Sequence, residues 1–590
     1  MTRADCLSLF PLILIAGTSM LVMVAIAFRR HHTLTAGLTI AGLVIAFMSI
    51  LTVTPYVPRH VTALLIMDHY ALLYMGVIIA SALVVAVLSY QYFEQQEGHH
   101  EELYVLLLLA TLGCMVLVAS SHLMSFFLGL EILSISLYAM VAYLKERKQS
   151  LEAGMKYLVL AGSSSAFLLF GMALVYADLG TMEFSRVAAA SAVTSHLAFL
   201  IPGIVLIITG IGFKLAVAPF HLWTPDVYEG APAPVTAFIA TASKTAIFAL
   251  LLRFFYHSGM HQYRAVYVVF VIIAVASMIA GNLLALWQTN VKRILAYSSI
   301  AHFGYMLVAF TAGGNMAVEA VTFYLVAYTV TTLGAFGVVT VLSNSSRDAD
   351  RLDDYQGLFW RRPLIAGIFT VMLLSLAGIP ATMGFLAKFY VLTAGASATK
   401  WSLIIILVIT SAIGLFYYLR IIVTLYSASP EREASIQPVV LASGFVLALL
   451  TALLIWFGVY PAPLLEMIQI NAVPSVAELL PSESDKLSRH FGSGGGPFRL
   501  TAKLDFGARI EDTTSDHGFE PCYDHTPGSG GGARSSITST QERTYVERKD
   551  LCGRQESLFV LPLAYMRAQD PHATVVIYPL ATSCVSRTGS

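Results

Sequence analysis

The sequence predicts an all-α polytopic membrane protein of about fourteen transmembrane helices, two of them broken. Three observations carry that expectation. Of 590 residues, 57% are hydrophobic and 12% charged, with a mean hydropathy of +0.74, whereas soluble domains carry roughly 25% charged residues. Apolar runs of membrane-spanning length recur from residue 8 to residue 460. Two of these runs hold internal helix breakers: Pro202, Gly203, Gly210 and Gly212 in one, Gly378, Pro380 and Gly384 in the other. Broken backbone at membrane depth is tolerated only inside protein or beside a water-filled cavity.

In chain order, the first apolar segment, 8–28, is too long for a signal peptide's apolar core and lacks a small-residue cleavage site. It reads as the first span. Further spans are expected near 33–54, 69–92, 103–120, 122–144, 154–177, 196–219, 234–256, 265–287, 294–312, 318–342, 363–397, 402–426 and 438–460. One alternating set of loops carries Arg29, Arg30, Lys145, Arg147, Lys148, Lys292, Arg293, Arg347, Arg351, Arg361, Arg362 and Arg432. The other carries Arg3, Arg59, Arg186, Arg264 and Lys400. The positive-inside rule makes the first set cytoplasmic, so the N-terminus and the end of the last span face out. Trp223, Trp287, Trp360, Trp401 and Trp456 fall near segment ends, where interfacial tryptophans are expected.

The formal net charge is zero and gives no reason to invoke nucleic acid. Cys6, Cys114, Cys522, Cys552 and Cys584 form no CxxC and no metal-ligand spacing. Too little polar chain lies outside the spans to build a soluble catalytic domain.

The polar residues inside the spans are the candidates for chemistry. Glu131 lies in the fifth span, Lys214 in the seventh, Lys244 in the eighth, His302 in the tenth and Lys388 in the twelfth. A charge at mid-membrane costs at least ~2.5–3.5 kcal/mol, so such residues are functional candidates by default. Desolvation disfavours each charged form and a nearby opposite charge restores it, so Glu131 and Lys214 read as a proton-exchanging pair. Lys244 reads as a relay and Lys388 as the far station. His302, with Ser298, Ser299 and Tyr305, could link Lys244 to Lys388 through water. His302 is equally compatible with a core histidine bonded to a carbonyl, and Lys388 with a cap on broken backbone. His221 reads as interfacial, and Lys156 and Arg420 as side chains that snorkel from span ends.

The two interrupted spans lie five spans apart and each places a lysine just after a Gly-Phe: Gly212-Phe213-Lys214, and Gly384-Phe385 then Lys388. Such correspondence points to inverted repeats.

The stretch GFKLAVAPFHLWTPDVYEGAPAPV with TASKTAIF strongly resembles subunit N (subunit 2) of the proton-pumping NADH:quinone oxidoreductase, respiratory complex I. FFLGLEILSISLYAMVAYL, TNVKRILAYSSIAHFGYMLVA, YQGLFWRRP and LSLAGIPATMGFLAKFYVL agree, and the match covers about residues 5–470. The resemblance implies an antiporter-like fold: helices 1–3 over 1–100, a first five-helix repeat over 101–257, a second, inverted, over 258–427, and a last helix over 428–481. It implies a bacterial inner-membrane subunit that moves protons while electrons pass from NADH to quinone in partner subunits. No cofactor is expected in this chain; NADH, FMN, iron–sulfur clusters and quinone would belong to the partners. The expected partners are the other membrane-arm subunits and the lipid bilayer, with the quinone pool reached indirectly. The family's proton-path residues fall on Glu131, Lys214, Lys244 and Lys388. The alternatives are a Na⁺(K⁺)/H⁺ antiporter module and a structural subunit without conduction of its own.

Residues 482–590 depart from that pattern. SGGGP and GSGGGA read as flexible linkers, and the apolar runs 557–566 and 573–585 are too short to span a membrane. This extension is expected to be poorly ordered and is assigned no function.

Overall fold

The computed structural model describes residues 2–187, 198–258, 263–428, 440–472, 535–540, 543–549 and 555–559. Arg432, Cys522, Cys552 and Cys584 lie outside the described residues. The chain forms two compact units, Met1–Ser482 and Glu483–Ser590.

The first unit is built of helices. In order they are α1 (Phe10–Phe28), α2 (His32–Val53), α3 (His69–Glu94), α4 (Glu102–Val118), α5 (Leu123–Val141), α6 (Lys148–Leu179), α7 (Leu200–Leu215), α8 (Trp223–Gly230), α9 (Ala233–His257) and α10 (Arg264–Leu286). There follow α11 (Val291–Ala312), α12 (Gly314–Leu342), α13 (Pro363–Ala377), α14 (Met383–Ser397), α15 (Trp401–Tyr426), α16 (Leu441–Val459) and α17 (Ala462–Asn471). Eleven helices among the described residues are long and apolar enough to cross a membrane, and α4, α7 and α13 are shorter apolar helices. The chain is a multi-pass membrane protein. A two-stranded ribbon, Arg59–His60 with Ile66–Met67, precedes α3. In the second unit the described residues form one antiparallel sheet of Ser535–Thr540, Arg543–Lys549 and Gln555–Phe559, in that order.

Local signals place the ends. Asp68 caps α3 by accepting from Ala71 N. Gly180 ends α6 in the left-handed region, φ 65°. Pro363 opens α13, where its missing N–H costs nothing.

Burial sorts the helices. The most apolar window of α9 is wholly buried, that of α11 94% and that of α12 83%; for α1 and α16 the figure is 28%. Apolar residues all round a helix mean that it sits inside the bundle. So α9, α11 and α12 form the centre, and they carry Lys244 and His302.

Both interrupted spans are broken, but not alike. The second breaks at its glycines: α13 ends at Gly378, φ 84°, and α14 begins at Met383. The first runs unbroken through Pro202, Gly203, Gly210 and Gly212 as α7 and breaks only after Leu215, where Ala216 turns left-handed at φ 61°. Beyond the break, Trp223–Gly230 is again helical. Trp223 is not interfacial. It is 3% exposed, stacked on Tyr157 and Phe213 at 4.8 and 5.3 Å, and its indole donates to Phe213 O. The other four tryptophans are exposed.

Candidate functional site

Lys214 sits in the last turn of α7, where the helix dipole favours a cation. Its Nζ is buried and donates to Ser134 Oγ at 2.7 Å, under the rings of Tyr138 and Tyr157 at 5.9 and 6.0 Å. Glu131, one turn earlier on α5 than Ser134, accepts from Ser165 Oγ of α6 at 2.6 Å. Among the described residues no ion pair joins Glu131 to Lys214. The pair expected from sequence is therefore held apart, each member on its own serine.

Lys244 follows a π-helical turn, Ile239–Ser243, that interrupts α9. Such widened turns recur at functional positions. Lys244 is 0% exposed; its Nζ donates to Ser299 Oγ of α11 at 2.8 Å and lies 5.0 Å from the Phe303 ring and 5.4 Å from the Tyr228 ring. Tyr328 of α12 donates to the same Ser299 oxygen at 2.8 Å.

His302 is buried one turn along α11 from Ser298 and Ser299. Its Nδ1 bonds Tyr324 OH at 2.7 Å and its Nε2 bonds Tyr418 OH at 3.1 Å. Tyr418 in turn bonds Ser298 Oγ at 2.5 Å. No backbone carbonyl holds this imidazole: both ring nitrogens face tyrosine hydroxyls, which can accept and release protons. Tyr305, ringed against His302 at 5.6 Å, accepts from Asn282 Nδ2 at 2.8 Å, and Asn282 Oδ1 accepts from Tyr417 OH at 3.1 Å.

Lys388 lies 5.5 Å from the Tyr305 ring. Its Nζ donates to Leu376 O, Ala377 O and Ser411 Oγ at 3.0, 2.8 and 2.9 Å. The cap on broken backbone considered from the sequence is thus present, at the C-terminal end of α13. Lys388 places its ammonium on the last carbonyls of an interrupted helix, whereas Lys214, in the last turn of α7, places its own on Ser134 of α5.

Side-chain hydrogen bonds and ring contacts therefore run from Lys244 through Ser299, Tyr328, His302 and Tyr305 to Lys388. The Tyr157 ring lies beside Lys214 and stacks on Trp223 at 4.8 Å, and the Tyr228 ring lies beside Lys244. Thr224 Oγ1 is buried with no hydrogen-bond partner among the described residues. Polar atoms of that kind are normally satisfied by internal water. His221, 8% exposed, is buried rather than interfacial.

Sequence reasoning missed the tyrosines of this network. Tyr324, Tyr328, Tyr417 and Tyr418 sit mid-helix, away from the interfacial belt, and that position was the available signal. Lys292, counted from the sequence among the loop charges, is not solvated. Lys292 is 0% exposed and donates to Glu229 O, Ala231 O and Asp348 Oδ2 at 3.0, 2.6 and 2.8 Å. Asp348 also receives Arg147 and Tyr92, at 3.1 and 2.6 Å. Burial pushes the Asp348 carboxyl up, but Lys292, Tyr92 and Arg147 outweigh it and hold it below its usual 3.8. Arg293 bridges Asp226 and Glu229, and Lys156 pairs with Glu152 and Asp226. This knot ties the start of α11 to α8. Arg420 does not snorkel freely: it donates to Leu286 O and Gln288 O.

Residues 120–414 match the model of the NADH:quinone oxidoreductase/Mrp antiporter transmembrane family. NADH-quinone oxidoreductase subunit N of Ectopseudomonas mendocina is 48% identical over 487 residues, 81% of this chain and 98% of that protein. The subunit N of Nitrosospira multiformis is 53% identical over 490 residues, 79% of this chain and 96% of its own. The chain belongs to the NADH-quinone oxidoreductase subunit N family. Among solved structures, a chain of respiratory complex I from Thermus thermophilus matches with a TM-score of 0.67 and 31% identity, over 77% of this chain and 98% of that one. A chain of the Mrp complex from Dietzia shares the fold, with a TM-score of 0.72 at 21% identity over 82% of this chain and 99% of that one. These subunit N relatives are matched almost end to end by 79–81% of this chain.

Proposed function

We propose that this chain is a membrane-arm subunit of a bacterial proton-translocating NADH:quinone oxidoreductase, in the inner membrane, and that it carries protons along Glu131, Lys214, Lys244, His302 and Lys388. It forms part of an enzyme without holding a redox site: in this reading NADH, FMN, the iron–sulfur clusters and quinone belong to partner subunits. Fourteen crossings and two inverted five-helix repeats complete the reading, α13 with α14 counting as one broken span. The observation that carries it is the row of buried ammonium groups, each on a hydroxyl: Lys214 on Ser134, Lys244 on Ser299, Lys388 on Ser411. A permanently charged buried lysine would need a carboxylate partner. On a hydroxyl, each can release its proton and take it back as the charge on its neighbours changes.

In mechanism, Glu131, one turn from the Ser134 that holds Lys214, sets the charge state of that lysine. A proton leaving Lys214 passes through water to Lys244, beside the rings of Tyr157 and Tyr228. Lys244 receives it and delivers it to the Ser299–Tyr328 hydroxyls, from which His302 and Tyr418 lead toward Tyr305 and Lys388. The test is proton uptake by inverted vesicles during NADH oxidation, with and without Na⁺. Uptake independent of Na⁺ and lost in the Lys244→Ala protein is expected; strict Na⁺ dependence would favour a cation antiporter.

A further inference from the structure

The outward half of α9 holds a second buried charge, and no step above uses it. Nine residues beyond Lys244, about 13 Å along the axis at 1.5 Å per residue, Arg253 pairs with Asp68 at the start of α3. The two are 1% and 3% exposed. Arg253 Nη2 donates to Asp68 Oδ1 at 2.7 Å and Nη1 to Oδ2 at 2.9 Å, while Oδ1 also accepts from Ala71 N at 2.7 Å. The guanidinium lies 4.7 Å from the Tyr70 ring, and Tyr70 OH donates back to Ala249 O of α9. Asp68 therefore has no oxygen left without a donor, and a guanidinium does not give up its proton. The pair is charged, yet unable to relay.

Between Lys244 and this pair, Ala246–Leu252 are apolar and fully buried. Five phenylalanines close round them: Phe248 meets Phe303 and Phe310 at 5.9 and 6.4 Å, Phe255 meets Phe270 and Phe310 at 5.1 and 6.1 Å, and Phe270 meets Phe310 at 4.8 Å. They come from α9, α10 and α11, and each is at most 4% exposed. The loop-charge bias places this end outward.

We infer that the phenylalanine cluster of α9, α10 and α11, capped by the Arg253–Asp68 pair, is an insulator. It closes the direct outward route from Lys244 and forces the proton sideways to His302 and Lys388. The inference rests on Lys244 being a proton site. Without a seal, a proton on Lys244 would have a short path along α9, and the lateral network would be bypassed. The seal makes the lateral route obligatory because charge does not cross dry apolar side chains without a large desolvation cost.

The test uses the assembled complex in vesicles, without NADH, and measures proton flux driven by a potassium diffusion potential. Phe310→Ser should raise the passive flux about tenfold by wetting the seal, Phe310→Leu should not, and Phe310→Ser with Lys244→Ala should fall back to the wild-type flux. Phe270→Ser serves as a second opening of the same seal. If assembled Phe310→Ser and Phe270→Ser proteins are both as tight as wild type, or if their leak persists without Lys244, the insulator is overturned. Lys244→Ala alone separates the two ideas. Wild-type pumping in that protein would refute Lys244 as a proton site, whereas lost pumping beside a leak that ignores Lys244 would refute the insulator only.

Discussion

Tyr418 shows how a residue acquires a role that composition hides. Its hydroxyl bonds both Ser298 and His302. Tyr418→Phe keeps the packing and removes that bridge, and we expect coupled turnover to fall about tenfold or more, since positioned proton-transfer groups contribute that order. Proton uptake should fall with it, while assembly stays normal; unchanged uptake would take Tyr418 out of the path. Asp348 makes a different prediction, about stability. Its proton affinity is depressed in the folded protein, so its contribution is fully present above the usual 3.8 and lost as pH falls through the lower folded value. Removing the charge by Asp348→Asn leaves Lys292 buried without its carboxylate, a loss of roughly 3–5 kcal/mol. The gap in unfolding temperature between wild type and Asp348→Asn should be constant from pH 7 to 5 and shrink below about pH 4. At this scale the lysines were legible because a charge stands out in an apolar run. The tyrosines and Asp348 were not, because an aromatic in a span reads as packing and an acid in a loop reads as solvated.

The elements that decide the site are the interrupted helices. Lys214 lies in the last turn of α7 and Lys388 donates to the last carbonyls of α13, where the geometry leaves no slack. Gly378 has φ 84°, and a Cβ there would lie 2.9 Å from Lys388 Cδ and 3.1 Å from its Nζ. Gly378→Ala should cost about 1–2 kcal/mol in backbone strain and displace the ammonium from Leu376 O and Ala377 O. We expect lower thermal stability and lower proton uptake together. Gly367→Ala, in the same helix with nothing near its Cβ, should change neither. Helix breakers in the sequence located the second break and misplaced the first. Pro202, Gly203, Gly210 and Gly212 lie within an intact α7, whose glycines allow close packing; Gly203 and Gly210 approach α6 closely. The α7 break instead falls at Ala216, a residue type with no left-handed preference.

For the whole molecule, hydropathy was enough to place most helices, because a bilayer permits few other structures for an apolar chain. It could not say which helices are central. That needed burial, which puts α9, α11 and α12 inside and leaves α1 and α16 at the rim. Subunit N relatives are matched over 96–100% of their length by 79–84% of this chain, and residues 483–590 form a compact unit of their own. Deleting them should leave NADH-driven proton uptake at the wild-type rate in isolated membranes; a large loss would assign that unit a function. The central claim is that a proton passes through Lys244, in the middle of this bundle. The measurement that tests it most directly is proton uptake by inverted vesicles holding the assembled Lys244→Ala complex, read beside inhibitor-sensitive NADH–quinone reduction. The account predicts that pumping and coupled turnover fall together. Wild-type values of both would contradict it.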